Sequence, residues 1–500
     1  MNKIPFAILL LLALTMTIAG CGGGGGGGGR SPGGTGSIQG YVYALAGSKA
    51  VVTRQATPPT GFEPVQAAAV TVTTVAAGTT SNASGYFKID GIQPGVQTVT
   101  VSKAGMAAVH FPVTVIPNQT VDAGTIDGDT ILGKKDWTFL VYMDADNDLE
   151  RYGILNMNQM EMVGSNDNIN IVVQFDRGPG HDTSNGDWTT TRRYYVTKDN
   201  DTATIHSTLV QDMGEQNMAD PAVLHDFVQW GVKTYPASHY AVVLWNHGDG
   251  WRSRARARGI FYDDTTNPYL GMSMAQLNSA LDVGVKLEVV AVDACMMQML
   301  EVDYEIRDRA RYIVSSEETS TSAGYAYNTF LTQLAANPSM TGLDLSNAIV
   351  DTYVEGNQGV GVTNSVVDPG RLAYLATRVQ SLAAYLRTHW AAQKGAFDSA
   401  RAACQAYSIY DYKDLYDFAA HLKSVSSDSQ VKSLSQAVMD AISDPSVSSV
   451  LYEAHSGSTV VDSYGISIYI PAHGSYMSSY GTALTFTQQY PDWAWLLANL

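Results

Sequence analysis

Two periodicities divide the chain. Between residues 38 and about 128 the apolar positions fall in short β-branched or aromatic runs: "SIQGYVYAL", "AAVTVTTV", "GYFKIDGI", "VQTVTVSKAG" and "HFPVTVI". Gly, Pro and Asn turns break them, which is the pattern of an all-β sandwich. From residue 137 the apolar runs become continuous: "WTFLVYM" (137–143), "INIVVQF" (169–175), "YAVVLWN" (240–246), "LEVVAVD" (287–293) and "RYIVSS" (311–316). Strands without polar alternation are buried on both faces, as in a parallel sheet. Amphipathic stretches lie between them. In "DPAVLHDFVQWGVKTY" Asp220 is the predicted N-cap and Pro221 opens the first turn. Residues 370–450 carry a mainly helical pattern, and "YGISIYIP" (464–471) is predicted as a late strand returning to the same sheet. The fold class is therefore α/β, a parallel-sheet sandwich with helices on both faces, preceded by an all-β domain.

The amino terminus changes the domain count. "MNKIPFAILLLLALTMTIAGC" places a lysine before an apolar stretch too short for a comfortable membrane span, then small residues before Cys21. Residues 1–20 are thus predicted to be a secretory signal. "IAGC" resembles a bacterial lipobox, which implies lipidation of Cys21 and an exported lipoprotein anchored to a membrane. Gly22 in place of aspartate points to the outer membrane, if there is one, or the cell surface. Residues 21–36 form a glycine-rich tether, residues 37–128 the β domain, and residues 134–500 the α/β domain.

Charge narrows the partners. A formal charge of -17 in 500 residues argues against a nucleic-acid partner, because phosphate contacts need clustered Lys and Arg. It modestly favours cationic substrates through long-range attraction. Of three cysteines, lipidation of Cys21 leaves Cys295 and Cys404. They are either a disulfide or include a working thiol. Cys404 lies in the helical pattern "ARAACQAYSIY", where a small buried side chain is expected.

Ligands bind α/β sheets at the carboxyl ends of strands, and three predicted strands end in reactive residues. "WTFLVYM" runs into Asp144, Asp146 and Asp148, "YAVVLWN" into His247, and "LEVVAVD" through Asp293 into Cys295. If the last two strands are neighbours, His247 and Cys295 meet as base and nucleophile. The Gly248 amide, with that of Cys295, is then placed to stabilise an oxyanion. "DADNDLE" begins like an EF-hand loop, but Leu149 replaces its glycine and Leu155 its last glutamate. No zinc spacing and no G-x-S-x-G elbow stands out, and no residue is assigned as a metal ligand.

"DWTFLVYMDADNDLE", "LWNHGDGW", "VDACMMQMLEVDYEI", "YIVSSEE" and "YGISIYIP" occur in the order of the clostripain family, clan CD cysteine peptidases of caspase-like fold, which residues 134–475 resemble. That resemblance implies an endopeptidase cleaving protein or peptide substrates after Arg or Lys, with Cys295 as nucleophile, His247 as general base and Asp293 in the specificity pocket. For a second pocket acid "SEETSTSAGYAY" offers Glu317 and Glu318 but no aspartate, so Arg and Lys both stay open. No cofactor is required; calcium remains possible, since the family's type member depends on it. Residues 38–128 resemble the carboxypeptidase regulatory-like β-sandwich. The alternative is a catalytically inactive peptidase fold serving as a surface binding protein.

One stretch stands apart. "WRSRARARG" sets Arg252, Arg254, Arg256 and Arg258 at alternate positions just after His247. It lacks both helical amphipathicity and apolar strand character, so an exposed mobile loop is expected. Clostripain relatives mature by cleavage in the corresponding region, which implies self-processing after Arg254, Arg256 or Arg258.

Overall fold

The computed structural model describes residues 35–44, 51–53, 58, 62–72, 78–104, 106–115, 117–123, 135–254, 257–266 and 271–500. The signal segment 1–20, Cys21 and most of the tether lie outside the described residues, as does Arg256.

Residues 36–122 form two facing sheets. The strands are β1 (Gly36–Ala44), β2 (Val51–Thr53), β3 (Glu63–Pro64), β4 (Ala69–Val72), β5 (Thr79–Thr80), β6 (Tyr86–Ile92), β7 (Gly95–Lys103), β8 (Met106–Val115) and β9 (Thr120–Asp122). Strand β1 pairs with β2, β3, β6 and β9, and the order β5-β4-β7-β8 makes the second sheet. Alternate residues turn inward, so Ile38, Val42, Phe87 and Ile89 meet Val70, Val72, Val99 and Val101 in one apolar layer.

The remainder is built on a nine-stranded sheet. Its first members are β10 (Lys135–Ala145), β11 (Ile169–Arg177), β12 (Arg192–Tyr195), β13 (Thr208–Asp212) and β14 (Ala237–Trp245). A hairpin of β15 (Gly248–Arg254) and β16 (Ala257–Ile260) precedes β17 (Leu287–Asp293), β18 (Ala310–Ser315) and β19 (Val362–Val367). Later come β20 (Tyr412–Asp414), β21 (Val450–Ser456) and β22 (Ser467–Tyr469). The sheet order is β13-β12-β11-β10-β14-β17-β18-β19-β21. The five central strands are parallel, while the outer pairs on both sides are antiparallel. The parallel sheet expected from the apolar runs forms the centre of this larger, mixed sheet.

Burial on both faces accounts for the unbroken runs. On β10, Trp137, Phe139, Val141 and Met143 pack to one side, against α1 (Glu150–Glu161), α5 (Tyr327–Ala336) and α6 (Gly342–Gly356). Leu140 and Tyr142 face α2 (Pro221–Thr234) on the other side, with α3 (Met274–Ala280), α4 (Leu300–Ile306) and α7 (Leu372–Thr388) completing that layer. Each such side chain contributes about 1.5–3 kcal/mol on leaving water. Asp220 caps α2 by accepting the Ala222 N–H at 2.8 Å, with Pro221 next.

Two expectations need correction. The run 464–471 does not return to the main sheet: β22 pairs with β20 in a separate two-stranded sheet, and β21 forms the edge of the large one. Ile466, Ile468 and Ile470 are nonetheless fully buried. An apolar run reports burial, not which neighbour provides it. Residues 248–254 and 257–260 pair as a β-hairpin where no strand character was expected, with Ser253 opposite Arg258 and Arg254 opposite Ala257. Trp251 anchors it edge-on against Tyr469 and Tyr480. Arg252 pairs with Asp411 at 3.3 Å and lies over the Tyr412 ring. These partners are more than 150 residues away, so no local pattern announces them.

Candidate active site

Strands β14 and β17 are parallel neighbours, with Trp245 opposite Asp293. His247 and Cys295 each lie two residues beyond that pair, so sheet register alone carries both to one edge. Together with Asp293, Ala294, Trp245, Asn246, Leu149, residues 320–322 and Gly324 they line a cavity of ≈ 200 Å³.

The thiol sits on a turn stabilised from several sides. Met296, directly after it, has a left-handed backbone (φ 57°), a conformation non-glycine residues adopt at some cost. The Ser320 N–H donates to Cys295 Sγ at 3.3 Å, and the Ser320 hydroxyl to the Ala294 carbonyl at 3.3 Å. Gly248 abuts this turn: a Cβ there would lie 2.6 Å from the Cys295 carbonyl oxygen, so only glycine permits the approach. Burial pushes the Cys295 thiol upward, and the carboxylates of Asp293, Asp249 and Glu318 push the same way against the Ser320 amide. These neighbours favour the protonated thiol over the thiolate. Cys404 is also free, is 5 % exposed, and is pushed up to about 12 by burial, as befits a core residue.

His247 is held on two sides. Its Nε2 lies 2.8 Å from Asp148 Oδ1, and its ring stacks on Tyr262 at 5.3 Å. A carboxylate only accepts, so Nε2 carries a hydrogen, and in the neutral ring it is Nδ1 that holds the lone pair. Among the described residues no hydrogen bond joins the imidazole to the thiol; such contacts commonly tighten when substrate arrives. The sequence marks Asp148 as a strand-end acid but gives no sign that it bonds to a histidine 99 positions on.

Asp293 is 4 % exposed at the cavity wall. Its Oδ2 accepts the Tyr325 N–H and the Tyr327 hydroxyl, both at 3.0 Å. Burial pushes this carboxyl up to about 6, while those two donors pull it down. Gly324, at φ +62°, makes room for it, since a Cβ would come within 2.5 Å of Oδ2. Glu317 and Glu318 take other directions. Glu317 is buried and accepts the Gly465 N–H, whereas Glu318 binds the Thr319 and Ser408 amides. Neither is among the residues lining the cavity.

A second group of acids lies along the same edge of the sheet. Asp146, Asp176, Glu215 and Asp263 bring one oxygen each to within 4.8 Å of one another. Sequence spacing had no means of collecting them.

A thiol and an imidazole facing one cavity, at the carboxyl edge of parallel strands, make up the constellation of a thiol hydrolase. The chain belongs to the clostripain family of peptidases (C11), whose model matches residues 141–497. Residues 55–127 match the carboxypeptidase regulatory-like domain. Clostripain of Hathewaya histolytica is 27% identical over 225 residues, 40% of this chain and 42% of that protein. The chain thus spans about two fifths of the length of the curated relative it matches. A secreted C11 cysteine protease from Bacteroides thetaiotaomicron, solved with an irreversible peptide inhibitor, has TM-score 0.54 and 22% identity, covering 72% of this chain and 99% of that one. An inactive zymogen C11 protease from Parabacteroides distasonis has TM-score 0.56 and 21% identity, with 71% and 98% covered. Both share the mixed α/β fold.

Proposed function

We propose that the chain is a cysteine endopeptidase cleaving after Arg or Lys, exported and anchored through Cys21. The observation that carries this reading is the single cavity lined by Cys295, His247 and Asp293. Cys295 Sγ attacks the scissile carbonyl carbon as its proton passes to His247 Nδ1, which then protonates the departing amine. Water, deprotonated by the same imidazole, hydrolyses the thioester and restores the thiol. The Gly248 and Cys295 amides face the developing oxyanion. Asp293 is the charge partner for a guanidinium or ammonium at the bottom of the pocket. Fluorogenic Arg, Lys and neutral-residue peptides, compared on wild type and Cys295→Ala, test the reading.

Self-processing in the hairpin belongs to the same proposal. Arg252 is occupied by Asp411, which leaves Arg254, Arg256 and Arg258 as the cleavage candidates. Before cleavage these arginines also compete for the acidic pocket at high effective concentration. Replacing all three with alanine is expected to leave one intact chain with reduced or delayed activity. A fully active, uncut wild type, without a new amino terminus between 253 and 260, would defeat the idea.

The anchor has its own test. Cys21→Ser is expected to move the protein from the detergent phase to the aqueous phase or block its processing. Unchanged partitioning would remove the lipid from the account. Among the described residues no helix is long and apolar enough to cross a membrane.

A further inference from the structure

Residues 318–320 grip the turn that carries the thiol at three points. The Glu318 carbonyl accepts the Met296 N–H at 3.1 Å. The Ser320 N–H donates to Cys295 Sγ and the Ser320 hydroxyl to the Ala294 carbonyl, both at 3.3 Å. On its other side the segment is fastened through the Glu318 carboxylate, which is 8 % exposed and does not line the cavity. Its Oε1 accepts the Thr319 N–H at 2.6 Å, and both oxygens lie 3.1 Å from the Ser408 nitrogen.

Ser408 belongs to a segment that closes on itself. The Tyr407 N–H donates to the Tyr412 carbonyl at 3.2 Å, the Tyr412 N–H to the Ile409 carbonyl at 2.7 Å and the Asp414 N–H to the Gln405 carbonyl at 3.1 Å. The same segment reaches the histidine side of the cavity. The Tyr412 hydroxyl donates to the carbonyl of Asp249, two residues after His247, at 2.5 Å. Asp411 Oδ2 pairs with Arg252 at 3.3 Å. One closed loop therefore touches the hairpin that follows the imidazole and, through Glu318, the turn that holds the thiol.

We propose that Glu318 is a positioning residue for Cys295, braced through residues 405–414 against the hairpin that follows His247. Its acceptor oxygens do this, not its charge. A carboxylate beside the thiol opposes thiolate formation, whereas the Ser320 N–H that Glu318 helps to place favours it. A nucleophile misplaced by about 1 Å can lose about 10²-fold in rate. This role rests on the reading of Cys295 as the nucleophile.

Glu318→Ala and Glu318→Gln both remove the charge. Only glutamine keeps an oxygen at the Oε1 position, where it accepts from both Thr319 and Ser408. The difference between the two variants therefore isolates the brace from electrostatics. In the full chain, alkylation of Cys295 by iodoacetamide is followed across pH by mass spectrometry. Glu318→Ala is expected to react about tenfold more slowly than Glu318→Gln at neutral pH, with its profile displaced to higher pH. On an arginyl peptide, kcat should fall by a similar factor in Glu318→Ala, with KM within about twofold of wild type, and recover in Glu318→Gln.

Asp411→Asn probes the far end of the brace. It keeps an acceptor for the Ala472 N–H, which Oδ1 binds at 3.2 Å, and loses the charge partner of Arg252. Alone it should slow alkylation about threefold, and it should add nothing to Glu318→Ala. Equal rates and equal pH profiles in Glu318→Ala and Glu318→Gln would overturn the positioning role. An unchanged rate in Asp411→Asn, or full additivity with Glu318→Ala, would overturn the brace. If thermal melting shows that Glu318→Ala does not fold, the rate of Asp411→Asn decides alone. A wild-type chain that hydrolyses no peptide would defeat the peptidase reading and leave the alkylation comparison intact.

Discussion

Cys295→Ala is expected to lower thiol-dependent hydrolysis by on the order of 10³-fold or more, to the background of the assay. His247→Ala should do nearly the same. Burial and the carboxylates of Asp293, Asp249 and Glu318 raise the thiol, so its attack depends on an adjacent base that removes its proton. If the pair acts as one unit, as proposed, the double variant should be little worse than either single one. Asp148→Asn should cost less, about tenfold, since its carboxylate is largely solvent-exposed and meets the ring only at Nε2. Initial rates on an arginyl peptide, with folding checked by thermal melting, decide the matter. Full activity in Cys295→Ala or His247→Ala would sink the assignment.

The second large effect concerns selectivity. Asp293→Asn is expected to lower kcat/KM for Arg and Lys substrates by about 10²-fold or more while sparing neutral ones. The side chain keeps its shape and loses its charge. The wild type adds a signature in pH. A carboxyl raised to about 6 is neutral below that value and ionised above it, so cation recognition weakens as the pH falls through about 6. The Arg-to-neutral ratio of kcat/KM cancels the titrations of thiol and imidazole and isolates this one. It should fall on the acid side in wild type and stay flat in Asp293→Asn. A ratio that ignores the substitution would place the charge partner on another residue.

How much of this was legible in advance depends on the range over which each signal acts. The central strands were, because a continuous apolar run such as 137–143 reports burial on both faces. Asp220 was legible as a cap because it bonds two residues away. The candidate cavity followed from strand ends plus one assumption, adjacency of β14 and β17, which hydrophobicity does not encode and register supplies. Contacts made across the fold were hidden. Nothing near residue 252 points to Asp411, nothing near 464–471 distinguishes β20 from the main sheet, and Asp146 stands 117 positions from Asp263. Tyr325 and Tyr327 hide in a run of small polar residues, although their alternation places both near Asp293.

The hairpin's location decides what a proteolytic cut there would produce. It interrupts the chain between β14 and β17, which are adjacent at the centre of the sheet. His247 and Asp148 lie before it; Asp293 and Cys295 lie after it. A cut between β15 and β16 would leave the proposed base and nucleophile on separate polypeptides, joined by the buried backbone ladder of β14 and β17. Unfolding then changes from a unimolecular to a dissociative process, in which stability acquires a dependence on dilution that the uncut chain lacks.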